Sequence, residues 1–167
     1  LAWVSKASVR RVWPDTLSVS VVEQNPVAIS KASGLINSNG DVFKPLSKIV
    51  STTLPVFEGD ASLNKLMLSH FHKMNNLLSG INLNITYLKV DARHAVELKL
   101  NNGLKVVLGR GDSIGRLERL MRIYNKVLAS RINDIAVIDL RYTNGMAISW
   151  KPKLKDMKGT LGDMKHV

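Results

Sequence analysis

Ile135-Ala-Val-Ile-Asp139-Leu-Arg-Tyr142-Thr-Asn-Gly145-Met-Ala-Ile-Ser-Trp150 alternates apolar and polar residues on both sides of an Asn-Gly pair. That is the pattern of two antiparallel strands joined by a short turn. Strands are expected over 135–141 and 146–150. In the first, Ala136, Ile138 and Leu140 suit a buried face, which turns Asp139 and Arg141 the other way. In the second, Met146, Ile148 and Trp150 share one face and Gly145, Ala147 and Ser149 the other. Pro152 has no backbone donor, and the Lys-rich residues around it stop the sheet, so the last strand is expected at an edge with one side free. Such a strand either closes the sheet with Trp150 as a lid on the core, or receives a partner's strand. In the second case backbone bonds supply affinity, and Tyr142 and Trp150 supply selectivity.

The elements preceding this hairpin follow from period and punctuation. Gly109-Arg110-Gly111-Asp112-Ser113 leads into a helix carrying Ile114, Leu117, Leu120, Met121, Tyr124, Val127 and Leu128 at helical spacing. Strands are expected over 83–90, 95–100 and 104–108, the last two joined by Asn101-Asn102-Gly103. Another helix is expected from about Ala61 to Leu78, capped by Asp60 or Ser62, with Leu63, Leu66, Met67, Phe71, Met74, Leu77 and Leu78 on its core face. Residues 45–60, punctuated by Pro45, Pro55 and Gly59, suggest a loop. Short strands are expected over 27–30 and 34–36. Val4 to Val12 and Leu17, Val19 and Val21 form a hairpin around Trp13-Pro14-Asp15-Thr16, ending before Pro26, where a hinge between two units is expected. Short turns outnumber helical crossovers, which makes the chain α+β with a mostly antiparallel sheet and two main helices.

Composition narrows the chemistry. The 167 residues are 45% apolar and 22% charged, the composition of a folded chain. Cys is absent, which excludes thiol catalysis, iron–sulfur clusters, thiolate zinc sites and disulfides. The net charge of +11 calls for acidic partners. Residues 151–167 hold five Lys and two Asp, so most of the positive excess lies outside this segment, which is expected to be a flexible tail from 153 onward. No run of about 20 apolar residues is present. The chain opens Leu1-Ala2-Trp3-Val4 and is expected to be a fragment of a longer protein.

No catalytic or metal site emerges. His70 and His72 lie two apart on a helix, about 200° apart in direction, and do not chelate one ion. His94 and His166 have no ligand-spaced partner, so no metal is expected. Gly109-Arg110-Gly111 lacks the Lys-Ser/Thr ending of a phosphate cradle, and Asp112 would itself cap the helix and repel phosphate. Arg116, Arg119, Arg122 and Lys126 fall on one helical band, the look of a nucleic-acid stripe, although such a band is usually a solvated face. The aromatic content of 5% is low for base stacking. No base, nucleophile and orienting residue share a motif, so no enzyme activity and no cofactor are expected.

The motifs together resemble a known family. Val4-x4-Val9-Arg10-Arg11-x-Trp13-Pro14-Asp15-Thr16-Leu17-x-Val19-x-Val21-x-Glu23-x2-Pro26-Val27-Ala28 is similar to the end of a POTRA domain running into the next domain of the FtsQ/DivIB cell-division family. Leu35-Ile36-Asn37-x2-Gly40-x-Val42-Phe43, Leu100-Asn101-Asn102, Leu108-Gly109-Arg110-Gly111-Asp112 and Val137-x-Asp139-Leu140-Arg141-Tyr142-x2-Gly145-x-Ala147-x2-Trp150-x-Pro152 follow in the family's order. The last two segments resemble its gammaproteobacterial form.

The resemblance implies a POTRA end over residues 1–25, a β domain over 26–152 and a flexible tail over 153–167. It implies a non-enzymatic, single-pass protein of the bacterial inner membrane with this region in the periplasm, the membrane helix lying outside this chain. Its implied partners are FtsB and FtsL, bound by the β domain beside the last strand, with other divisome proteins meeting the POTRA and transmembrane parts. The positions matching the partner site are Arg110, Arg141, Tyr142, Asn144, Gly145 and Trp150. Arg110 and Arg141 would suit an acidic residue on the partner. Lys6, Val9 and Arg11 match the family's recruitment surface. The alternative from composition alone is a basic nucleic-acid-binding domain.

Overall fold

The computed structural model describes residues 2–45 and 53–152; the expected tail over 153–167 and part of the expected 45–60 loop lie outside the described residues. Strands β1 (Val4–Val12) and β2 (Thr16–Glu23) form an antiparallel hairpin around Trp13–Asp15. Ala7, Val9, Leu17, Val19 and Val21 share one face of it by register, and the last four are more than half exposed. The end of the hairpin is tied to the rest of the chain by the Asn37 amide, which donates to Gln24 Oε1 at 2.9 Å, and by an edge-to-face contact of Trp3 with Phe43.

The other strands form one sheet of nine. They are β3 (Pro26–Ser30), β4 (Gly34–Asn37), β5 (Val42–Phe43), β6 (Val56–Glu58), β7 (Ile85–Val90), β8 (Val96–Leu100), β9 (Lys105–Gly109), β10 (Ile135–Asp139) and β11 (Ala147–Trp150), in the order β11-β10-β9-β8-β7-β6-β3-β4-β5. Most neighbours are antiparallel. The pairs β3/β6, β6/β7 and β9/β10 are parallel, the last two because helices α1 (Asn64–Ser79) and α2 (Ser113–Ile123) carry the chain across. The sheet is therefore mixed but mostly antiparallel, within the expected α+β architecture.

One face is the core. Ile138, Val106, Leu98, Leu88 and Phe57 stand side by side across five strands, sealed under α1 and α2. Each such side chain contributes about 1.5–3 kcal/mol by leaving water. Asp60 accepts from Ser62 N at 2.8 Å and opens a short 3-10 turn into α1, as its sequence position suggested. Leu66 departs from expectation: it is exposed, and Leu68 is buried in its place, because α1 lies rolled toward that side against the sheet. After α2 a π turn and a 3-10 turn, Tyr124–Leu128 and Ala129–Asp134, keep Tyr124, Leu128 and Ile132 in the core.

Two strands were not anticipated. β5 has two residues. β6 lies within the segment expected to be loop, and its three residues are too short to show a period, yet β3 and β7 flank it and bury Phe57.

The helix-free face carries charges in pairs. Glu58 accepts from Lys31, from the Tyr87 hydroxyl and from Lys89 at 2.9 Å, and Lys105 meets Glu97 at 2.8 Å. Bonding to Lys31, Tyr87 and Lys89 lowers the Glu58 carboxyl to about 2.

Candidate partner-binding edge

β11 is the outermost strand of the sheet. It pairs only with β10, Ile138 opposite Ile148 and Asp139 opposite Ala147, and among the described residues no strand lies on its other side. Met146 and Ile148 rest half-buried on the core, while Ala147 and Ser149 are exposed. Trp150 stands opposite Ile135 with the Arg131 guanidinium 4.2 Å from its ring centre. It is 46% exposed and keeps much of its surface in water.

The β10–β11 connection is wider than expected. β10 stops at Asp139 rather than Arg141, β11 starts at Ala147 rather than Met146, and neither Asn144 nor Gly145 takes the positive φ of a tight Asn-Gly turn. The reason lies on α2. Arg119 donates through Nη2 to the carbonyls of Tyr142 at 2.7 Å, Leu140 at 3.1 Å and Gly145 at 3.4 Å, and through Nη1 to that of Thr143. A guanidinium that collects these carbonyls overrides the turn preference of the dipeptide.

The same helix corrects the expectation of a solvated basic band. Arg116 Nη1 donates to the carbonyls of Arg110, at 2.8 Å, and Leu108. Of the four cations in that band, only Arg122 and Lys126 are exposed.

Arg110 sits in the turn between β9 and α2, exposed, with Asp112 capping the helix through Gly115 N at 2.9 Å as its sequence position suggested. It borders an open groove of about 560 Å³ that Leu66, His70, Val90, Arg93 and His94 also line. Arg141 folds onto Asp139, whose carboxyl is lowered chiefly by that hydrogen bond. Its charge is therefore already answered within the chain. Tyr142, Asn144 and Gly145 are exposed on the clamped loop.

The loop end of the β10–β11 hairpin carries Arg141, Tyr142, Asn144 and Gly145, with Arg110 on the neighbouring turn, whereas Trp150 stands at the other end of β11, opposite Ile135. Lys6, Val9 and Arg11 lie elsewhere, on β1. Val9 and Arg11 share one face there, with Arg11 over the Trp13 ring at 4.3 Å, whereas Lys6 lies on the other face. Period 2 separates them.

Arg116 and Arg119 were visible in the sequence as a helical band of arginines, but nothing local distinguishes an inward guanidinium from a solvated one. Among the described residues no three His, Asp or Glu gather where they could hold a metal, and no helix is long and apolar enough to cross a membrane. His70 is half-buried on α1, and burial followed by the nearby Lys73 charge lowers its pKa.

Comparison with known proteins gives two family matches. Residues 27–141 match the family model described as cell division protein FtsQ/DivIB, C-terminal, and residues 1–24 match the FtsQ-type POTRA domain. Among similar proteins are those named cell division protein FtsQ from Alcanivorax borkumensis (36% identical), Coxiella burnetii (34%) and Shewanella oneidensis (35%). Each alignment covers 90% of this chain, and the chain spans 58%, 62% and 57% of those relatives' lengths respectively.

Proposed function

Because this chain belongs to the FtsQ/DivIB family of cell division proteins, we propose that it is the periplasmic part of a non-enzymatic divisome scaffold that binds FtsB and FtsL along β11 and links early and late division proteins. In this reading residues 1–25 are the end of a POTRA domain and 26–152 the β domain. A single membrane span outside this chain holds the protein in the bacterial inner membrane. Other divisome proteins meet the POTRA and transmembrane parts, with Lys6, Val9 and Arg11 on the β1 side of that surface.

The observation that carries the reading is the outer side of β11, unpaired among the described residues, with Tyr142 in the loop before it and Trp150 at its end, each about half exposed. A partner strand added there gains a row of backbone bonds, and Tyr and Trp are the residue types richest in interface hot spots. Arg110, Asn144 and Gly145 flank that row. Arg110 offers its charge to an acidic partner side chain, whereas Arg141 brings a guanidinium already held by Asp139.

The test is binding of the periplasmic FtsB–FtsL segments to the wild-type chain and to Tyr142→Glu, which sets an acid in the contact. A folded Tyr142→Glu protein should lose binding. Unchanged affinity would remove the edge from the site. The alternative of a nucleic-acid stripe on α2 is disfavoured by Arg116 and Arg119, whose guanidinium groups are bonded to the chain's own carbonyls.

A further inference from the structure

The four-carbonyl grip of Arg119 on the 140–146 loop assigns it a role that no exposed position reveals. We propose that Arg119 is a positioning residue for the partner-binding edge, holding Tyr142, Asn144 and Gly145 and the start of β11 in the conformation that receives a partner strand. This rests on the edge reading given above.

Two features single the contact out from ordinary surface bonding. The guanidinium reaches carbonyls at Leu140, Tyr142, Thr143 and Gly145, which lie 21 to 26 residues further along the chain and face one point only because the loop is bent around it. The Arg119 side chain is half-buried and its Nε is covered, so the bonds it makes run through the two Nη atoms to the loop carbonyls. The planar fork of an arginine bonds several acceptors at once, which a lysine ammonium on its flexible stem does not reproduce. One turn earlier on the same helix, Arg116 holds the carbonyl of Arg110. Two arginines three residues apart on α2 thus fix both segments that flank the edge.

The consequence is preorganisation. A loop already fixed in its bound shape does not have to be ordered during association, and affinity rises by that difference. Without the clamp the loop would sample other shapes, and the edge would present Tyr142 only part of the time.

The experiment compares Arg119→Ala and Arg119→Lys with Arg122→Ala, an exposed cation on the same helix, in the full 167-residue chain. Hydrogen exchange at residues 140–147 and at 96–109, thermal midpoint, and affinity for the periplasmic FtsB–FtsL segments are measured for each. Both Arg119 variants should exchange about tenfold faster at 140–147 with 96–109 unchanged, and should bind about tenfold more weakly. An equal loss in Arg119→Lys, which keeps the charge, assigns the effect to geometry. Arg122→Ala should match the wild type.

Unchanged exchange in Arg119→Ala, or a loosened loop with full affinity, would overturn the proposal. Failure of both Arg119 variants to fold would overturn it too, by making Arg119 a determinant of the fold. Tyr142→Glu is run alongside. If it loses binding while Arg119→Ala keeps it, only the positioning role falls. If Tyr142→Glu binds like the wild type, the edge reading falls and takes Arg119's part in binding with it.

Discussion

Arg141 closes back on Asp139, two residues earlier. Its Nε lies 3.0 Å from both carboxylate oxygens, its Nη2 2.6 Å from Oδ2, and its own backbone N–H donates to Oδ1 at 3.0 Å. The stem of the same side chain crosses Gly109, where a Cβ would come within 2.8 Å of Arg141 Cγ. Gly109 also has φ +70°, a backbone that side chains disfavour.

Gly109→Ala should therefore destabilise the fold by about 1–3 kcal/mol and displace Arg141 from Asp139. Denaturant melts give the first effect. Faster hydrogen exchange at Arg141 N–H gives the second. Wild-type stability in Gly109→Ala would mean that the turn can shift without Arg141.

Glu58 should make stability depend on acid pH. Its folded value, about 2, lies below the ordinary 4.5, so its contribution is complete above 4.5 and fades as pH falls toward 2. Asp139 acts in the same direction. Glu58→Gln should have a lower thermal midpoint at neutral pH and a flatter decline on acidification. An acid limb as steep as that of the wild type would place the titrating group elsewhere.

Trp150 and Tyr142 should separate stability from binding. Trp150→Ala removes the stack with Arg131 and the half-buried ring opposite Ile135, so it should lower both the thermal midpoint and partner affinity, the latter by ~2 kcal/mol. Tyr142, 57% exposed, should cost within about 0.5 kcal/mol of stability on replacement. Equal destabilisation by the two would contradict their placement.

DNA and RNA should bind weakly, without sequence preference, and fade steeply as salt rises. Titration at physiological salt checks this. Specific submicromolar binding would overturn the scaffold reading.

The β1–β2 hairpin should exchange faster than β10. Val9, Leu17, Val19 and Val21 lie open to solvent, whereas Ile135 and Ile138 are sealed. Equal protection at 4–23 and 135–139 would mean that the hairpin has cover beyond its contacts to Asn37 and Phe43.

The sequence alone determined what neighbours along the chain determine. Alternation placed Ile138 and Leu140 on the buried face of the last hairpin, though a bulge buries Ile135 fully and leaves Ala136 half-buried. Helical spacing marked the buried sides of α1 and α2 apart from Leu66, and Asp60 and Asp112 marked helix starts by accepting from amides two and three residues on. The motifs at 4–28, 35–43, 100–112 and 137–152 carried the family. Tertiary structure decided the rest. β6 is a strand because β3 and β7, far apart in sequence, offer it backbone partners on both sides; three residues hold no period of their own. The Asn144-Gly145 pair forms no tight turn because Arg119, 21 to 26 residues away from the carbonyls it holds, supplies donors that a local turn lacks. Propensity acts within a few residues, and a guanidinium brought in by a folded helix acts wherever the fold delivers it.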